Sequence, residues 1–211
     1  MLRPPPWIAP DPLPDRLDTP RLTLRFWRAE DAAGLLEAID VDRPLLTRWM
    51  PWPADDNRNA AECVFNIERF RRAREKKDGP PEGYAIGIFD RATGVVAGGT
   101  GLHRIDPAIG QAEIGYWIRP DRHRRGLCTE AVESLLGWAL APQARGGWGL
   151  RRIVILCAEP NVASRAVPEK LGLRREVFAK KDRWLDGEGW VGTIGFGVDA
   201  EEWEAKVSGG R

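Results

Sequence analysis

Two histidines and three cysteines are all that this 211-residue chain offers as imidazole or thiolate metal ligands. Cys63, Cys128 and Cys157 show no CxxC spacing and His103 and His123 no ligand pairing, so no metal site is expected. The odd thiol count fits small buried thiols in a reducing compartment better than disulfides or zinc. Nowhere do 18 apolar residues run together as a membrane span requires, and Met1 to Trp7 lacks the apolar stretch of a secretory leader. A soluble, cytoplasmic protein without a membrane partner is expected. Nor does one sign of charge dominate: 32 Lys and Arg face 31 Asp and Glu, a net charge of +1. With no bulk field, nucleic acid is not expected as a partner, and any polyanion site has to be local.

What is present suits one generous α/β domain, at 43% hydrophobic residues and without internal repeats. Six prolines in residues 1–16 read as an extended arm outside the core, leaving 17–207 as the domain. Leu22, Leu24 and Phe26 alternate as a strand does; Ala32, Leu35, Leu36 and Ile39 switch to helical spacing. A second helix follows at Ala60, Cys63, Val64 and Ile67, and its Arg69, Arg71, Arg72, Arg74, Lys76 and Lys77, interspersed with glutamates, read as a solvated face. Tyr84 to Phe89 and Val95 to Ile105 flank a turn-rich Asp90 to Gly94 and predict a hairpin, with a third strand at Ala112 to Arg119. A helix with the stripe Cys128, Ala131, Val132, Leu135, Leu136 and Ala139 comes next. Ile153 to Cys157 is an apolar run expected to be buried on both faces. Asn161 to Leu171 reads as a helix, and Arg174 to Ala179 with Trp190 to Val198 as a closing strand pair. This order implies a mixed sheet with helices on both faces. Pro168 has no N–H for the Ser164 carbonyl and biases Val167 away from helical geometry, which predicts a kink or interruption from Ser164 to Pro168.

The most informative stretch is Glu113-Ile114-Gly115-Tyr116-Trp117-Ile118-Arg119-Pro120, followed by a basic turn, Asp121 to Gly126, and a helix start at Leu127, Cys128 and Thr129. The first N–H groups of a helix lack intrahelical partners and, with the macrodipole, form an anion site. Gly126 lets a phosphate approach the backbone from Arg124 to Thr129. Arg122, Arg124 and Arg125 either add charge there or are ordinary surface arginines.

Gly115 to Ala131 resembles the signature segment of the GNAT superfamily of N-acetyltransferases, whose turn is usually Gln/Arg-x-x-Gly-x-Gly/Ala. His123 stands at the first position and Cys128 at the last, two departures from it. Asn161-Val162-Ala163-Ser164 and Lys170-Leu171-Gly172-Leu173 resemble the Asn-x-x-Ser helix and Lys-Leu-Gly-Phe of the same superfamily. Leu17 to Arg25, Trp49-Met50-Pro51-Trp52 and Glu113 to Trp117 resemble, in particular, the ribosomal-protein serine and alanine N-acetyltransferases, the RimJ/RimL-like group. The resemblance implies an α/β, single-domain GNAT-like fold with a mixed, mostly antiparallel central sheet and helices on both faces. It implies acetyl-CoA as cosubstrate, with no metal, and an amine acceptor attacked directly.

The cofactor residues so implied are Trp117, Ile118 and Arg119 at the strand end, His123, Arg124, Arg125, Gly126, Leu127, Cys128 and Thr129 at the turn, and Asn161 and Ser164 on the later helix. A splay of the sheet after Trp117 is expected to expose N–H groups near Ile118 to the thioester oxygen. Glu113 is the candidate to receive the amine proton, with a structural carboxylate as the other reading, and Ser164 the candidate partner of the departing sulfur. Gly192 falls where relatives often carry an acidic residue. Trp49, Trp52, Trp184 and Trp190 are expected to border the acceptor site, or else to pack the core. An α-amine titrates near ~7.7 to 8.0 against ~10.4 for lysine and asks less of a base, which favours a protein or peptide N-terminus, such as that of a ribosomal protein, as acceptor. An antibiotic, a polyamine, or a non-catalytic acyl-CoA sensor stand as alternatives. Monomer and homodimer both remain open.

Overall fold

A computed structural model describes residues 5–50, 52–75 and 83–209. Its eight strands, β1 (Arg16–Asp18), β2 (Leu22–Phe26), β3 (Gly83–Asp90), β4 (Val96–Asp106), β5 (Gln111–Ile118), β6 (Arg152–Ala158), β7 (Arg174–Leu185) and β8 (Gly189–Asp199), form one sheet in the order β1-β2-β3-β4-β5-β6-β8-β7. Every neighbouring pair is antiparallel except β5 and β6. The helices are α1 (Ala32–Asp40), α2 (Arg43–Thr47), α3 (Trp52–Asp55), α4 (Ala60–Glu75), α5 (Leu127–Leu140), α6 (Val162–Lys170) and α7 (Ala200–Gly209).

Period-2 alternation gives the sheet two apolar faces, and the helical stripes cover them. Leu24, Ile86, Leu102 and Ile114 pack with Leu135 and Leu136 of α5 on one face. Trp27, Phe89 and Val96 pack with Leu35 and Ile39 of α1 and Cys63 and Ile67 of α4 on the other. Each fully buried side chain contributes on the order of 1.5–3 kcal/mol of transfer free energy. The mixed, mostly antiparallel sheet with helices on both faces is therefore present as expected. In the β3–β4 hairpin, Asp90 Oδ1 accepts from the Ala92 and Thr93 N–H groups and Gly94 adopts φ 72°, which closes the turn. On α4, Arg71 pairs with Glu68 at 2.9 Å and Glu75 at 2.6 Å, the solvated face expected there. Lys76 and Lys77 lie outside the described residues.

Three expectations need correction. β6 is not buried on both faces: Ile153, Ile155 and Cys157 are buried while Val154 and Leu156 are half-buried, because only alternate residues join the cluster under α5. α6 runs uninterrupted from Val162 to Lys170 with Pro168 inside it, and the Leu171 N–H still reaches the Val167 carbonyl at 3.1 Å. The proline deletes one bond of the ladder without breaking the helix. The proline-rich arm, finally, is not wholly outside the core. Trp7 is 6% exposed and sits in the larger core cluster; its N–H bonds the Pro107 carbonyl at 2.6 Å and its Nε1–H the Trp148 carbonyl at 2.8 Å. A single large aromatic between prolines has no periodicity, so the pattern could not reveal it.

Trp7→Ala is expected to lower unfolding free energy by about 3–5 kcal/mol, the usual cost of deleting a buried tryptophan. Denaturant titration of the variant beside the parent checks this, and a change under about 1 kcal/mol would show the arm to be dispensable.

Candidate active site

β5 and β6 pair in parallel over Gln111↔Arg152, Ala112↔Ile153 and Glu113↔Val154, and then separate. β5 stays paired to β4 up to Gly98↔Ile118, while β6 pairs with β8 along its whole length. A gap therefore opens between β5 and β6 earlier than the splay expected after Trp117. Strand geometry decides which amides face it. The Arg119 N–H bonds the Ala97 carbonyl beside β4 at 2.9 Å, so the N–H groups two and four residues earlier also point to β4. The Ile114 N–H, on the β6 side, completes the last rung with Val154, and those of Tyr116 and Ile118 point into the gap.

The turn beyond β5 carries the anion site. Arg124 at φ 60° and Gly126 at φ 74° are left-handed, which turns the chain sharply into α5. The first helical bond runs from the Glu130 N–H to the Gly126 carbonyl at 3.0 Å, so the amides of Leu127, Cys128 and Thr129 lack intrahelical acceptors. His123 Nε2 donates to the Ile118 carbonyl at 2.7 Å, tying the turn to the strand end through its ring. Arg125 bonds the Asp121 carbonyl and Arg122 pairs with Asp90 at 2.8 Å. Arg119 behaves differently. Its side chain, 8% exposed, is clamped by Asp121 at 2.8 Å and Glu37 at 3.2 Å and donates to the Val96 carbonyl, so it braces the strand end from within the fold.

Arg21 joins this site although no motif marks it for the role. Its Nη1 donates to the Arg125 carbonyl at 2.8 Å, and its Nη2 would lie 3.5 Å from a Cβ built on Gly126. Glu130 holds it in place through Nε at 2.6 Å and also accepts from the Thr19 hydroxyl at 2.6 Å. Burial opposes ionisation of Glu130, but bonds from Thr19 and Arg21 outweigh it and hold the carboxyl below its ordinary range. Arg21, Arg91, Arg122 and Arg125 line a cavity of ≈ 590 Å³ beside the start of α5.

Across the gap, α6 presents its first turn. Asn161 caps it, its Oδ1 accepting from the Ser164 N–H at 3.1 Å. Ser164 Oγ lies 3.3 Å from Cys157 Sγ and 3.4 Å from the Tyr116 hydroxyl. Tyr116 donates to the Ser164 carbonyl at 2.8 Å. Burial pushes Cys157 up and, with the nearby Cys157 thiol, raises Cys128 to about 12. Both thiols stay protonated at neutral pH, which disfavours an acyl-cysteine and suits direct transfer.

The other side of β5 carries Glu113, paired with Arg104 at 2.8 Å and opposite His103 in register. Burial and the Arg104 charge hold His103 below its ordinary value, so a neutral imidazole stands beside the carboxylate. Trp117, of the same parity, tilts against Trp52 with ring centroids 5.5 Å apart. Trp184 and Trp190 pair edge-to-face at 5.9 Å on the β7–β8 hairpin, 60% and 61% exposed. Arg48, whose guanidinium stacks on Trp49, pairs with Glu188 of that hairpin turn. The aromatic loop and the hairpin thus meet. At Gly192 a Cβ would fall 2.6 Å from the Ala179 carbonyl and 3.0 Å from Glu159 Oε2. A side chain there is excluded, and a carboxylate from the end of β6 occupies the space instead.

Asn161→Ala is expected to cost about 1 kcal/mol of stability through the lost cap, whereas Asn161→Asp, which keeps the acceptor, should cost little. Thermal or denaturant unfolding of the two variants distinguishes a true cap from a residue that serves only a ligand.

Among the described residues no cluster of three or more His, Cys, Asp and Glu side chains is placed to hold a metal, and no helix is long and apolar enough to cross a membrane. The acetyltransferase (GNAT) domain family matches residues 21–174, well over half of the chain. YdaF of Bacillus subtilis (strain 168), provisionally named a ribosomal N-acetyltransferase, is 30% identical over 171 residues, 79% of this chain and 85% of its own. The ribosomal-protein-serine acetyltransferase of Escherichia coli (strain K12) is 26% identical over 157 residues, 72% of this chain and 78% of its own. Of solved structures, RimL, a ribosomal L7/L12 alpha-N-protein acetyltransferase in complex with coenzyme A, superposes with a TM-score of 0.76 at 20% identity, over 88% of this chain and 98% of that one. That likeness shows a shared fold. The split sheet, the amide cradle, the matched family and the sequence relatives lead to one assignment: the chain belongs to the GNAT family of N-acetyltransferases.

Proposed function

We propose that the chain transfers the acetyl group of acetyl-CoA to the α-amine of a protein or peptide N-terminus. The observation that carries this reading is the gap that opens beyond Glu113↔Val154, with the Ile118 N–H facing it and the free amides of α5 beside it. The residues present fit the cosubstrate. The amides of Leu127, Cys128 and Thr129 suit a pyrophosphate, Gly126 leaves the approach open, and Arg124, Arg125 and Arg21 add positive charge. The arginine-lined cavity suits a further phosphate of the same molecule. Asn161 and Ser164 face the pantetheine path, and Arg165 Nε, buried without a partner among the described residues, is a donor held for a ligand.

Acetyl-CoA supplies an activated acyl group as a thioester; the chain supplies position and charge. The Ile118 N–H suits an oxygen on which negative charge develops, fixed in place before reaction. Ser164 Oγ suits the departing sulfur, which leaves tolerably as a thiolate. On the opposite face of β5, Glu113, paired with Arg104, suits the amine proton through water. The relatives named for ribosomal-protein substrates, and RimL for an α-N-protein substrate, favour an N-terminal acceptor. An α-amine is already partly neutral at pH 7 and asks less of a base than lysine does.

A thiol-release assay with acetyl-CoA tests the acceptor against ribosomal-protein N-terminal peptides, polyamines and aminoglycosides. Release with the peptides is expected; release only with a small amine reassigns the acceptor, and binding without amine-dependent release makes the chain a sensor. Gly126→Val, which places a β-branched residue at φ 74°, should weaken acetyl-CoA binding at least about tenfold in calorimetry while the fold persists. Unchanged affinity would place the pyrophosphate elsewhere.

A further inference from the structure

Pro168 sits four residues after Ser164 inside α6 and has no N–H, so the Ser164 carbonyl is left without its helical donor. An unpaired carbonyl in a half-buried turn costs about 1–3 kcal/mol. The missing donor comes from another strand: the Tyr116 hydroxyl, on β5, bonds that carbonyl at 2.8 Å. The place of this contact matters. Extending the parallel register from Glu113↔Val154 sets Tyr116 level with Cys157, where β5 and β6 no longer share backbone bonds. The Tyr116 oxygen lies 3.9 Å from Cys157 Sγ at that level. One side chain thus spans the gap that the backbones have left open.

We infer that Tyr116 is a positioning residue, that its hydroxyl replaces the helix hydrogen bond removed by Pro168, and that this strap fixes the distance of α6 from β5 and the orientation of Ser164. Ser164 is gripped at both ends of its peptide units: Asn161 takes its N–H and Tyr116 serves its carbonyl. Its Oγ lies between Cys157 Sγ and the phenol oxygen, on the helix turn proposed to meet the pantetheine arm. The phenol proton is committed to the carbonyl, and burial keeps the hydroxyl protonated far above its ordinary range. Tyr116 therefore acts through Ser164 and is not itself the acid for the departing sulfur. The inference rests on the acetyl-CoA reading for its functional consequence but not for the strap itself.

A double-mutant cycle tests it, with Tyr116→Phe, Pro168→Ala and the double variant beside the parent. Tyr116→Phe should raise the acetyl-CoA KM roughly two- to tenfold, the worth of one hydrogen bond, and lower the thermal midpoint, with kcat and the shape of the pH–rate profile little changed. In the double variant the backbone N–H restored at position 168 can serve the Ser164 carbonyl again. KM and midpoint should then return toward those of Pro168→Ala alone, which measures any packing lost with the proline ring. If the double variant stays as impaired as Tyr116→Phe, or kcat falls with loss of the basic limb, the strap is wrong and the phenol is an acid. Should the parent bind no acetyl-CoA, the proposed function fails, yet recovery of the midpoint in the double variant still decides the strap.

Discussion

The pairing of β5 with β6 lasts three residues, and the rest of the site depends on its ending there. A parallel pair continued to Ile118 would use the inward amides of β5 for backbone bonding and close the sheet. Because β6 is committed to β8 from Arg152 to Ala158, it diverges with that antiparallel partner, while β5 stays with β4. Two well-paired half-sheets therefore meet along a short seam. Each half keeps a continuous antiparallel ladder of its own up to the seam.

Beside an open seam the elements have to be held in place, and side chains do this at three levels. Near the closed end Arg104 of β4 pairs with Glu113 and holds β5 to its antiparallel neighbour. In the middle Tyr116 reaches Ser164 across the gap. At the strand end His123 holds the Ile118 carbonyl, while Arg119 is clamped beneath by Asp121 and Glu37. Arg21 and Glu130 join the β1–β2 turn to the first turn of α5, so the cradle is held from the far edge of the sheet as well. The preorganised amides needed for charge stabilisation thus sit on elements fixed from both sides.

Much of this was legible in the sequence where local pattern and local chemistry agree. The α5 stripe, the β3–β4 hairpin and the helix start after Gly126 each follow from a few neighbouring residues. Long-range partners were not legible. Pro168 announced an orphaned carbonyl, and the expected answer was a broken helix; the actual answer lies 48 residues away in Tyr116, which no spacing rule connects to it. Trp7 was hidden by the prolines around it. Gly192 read as a lost carboxylate, whereas the space belongs to Glu159, a residue that only the antiparallel pairing of β6 with β8 brings there. Arg119, grouped with the cofactor residues by its place at the strand end, is drawn inward by Asp121 and by Glu37, a partner 82 residues away that the linear pattern could not associate with it.

The central claim is that this seam is the cosubstrate channel, and a crystal structure of the protein with coenzyme A tests it most directly. The account predicts the pyrophosphate within about 3 Å of the Leu127, Cys128 and Thr129 amides, the pantetheine arm between β5 and β6, and the sulfur near Ser164 Oγ. Coenzyme A bound outside the gap, with β5 and β6 unchanged and those amides free, would contradict it.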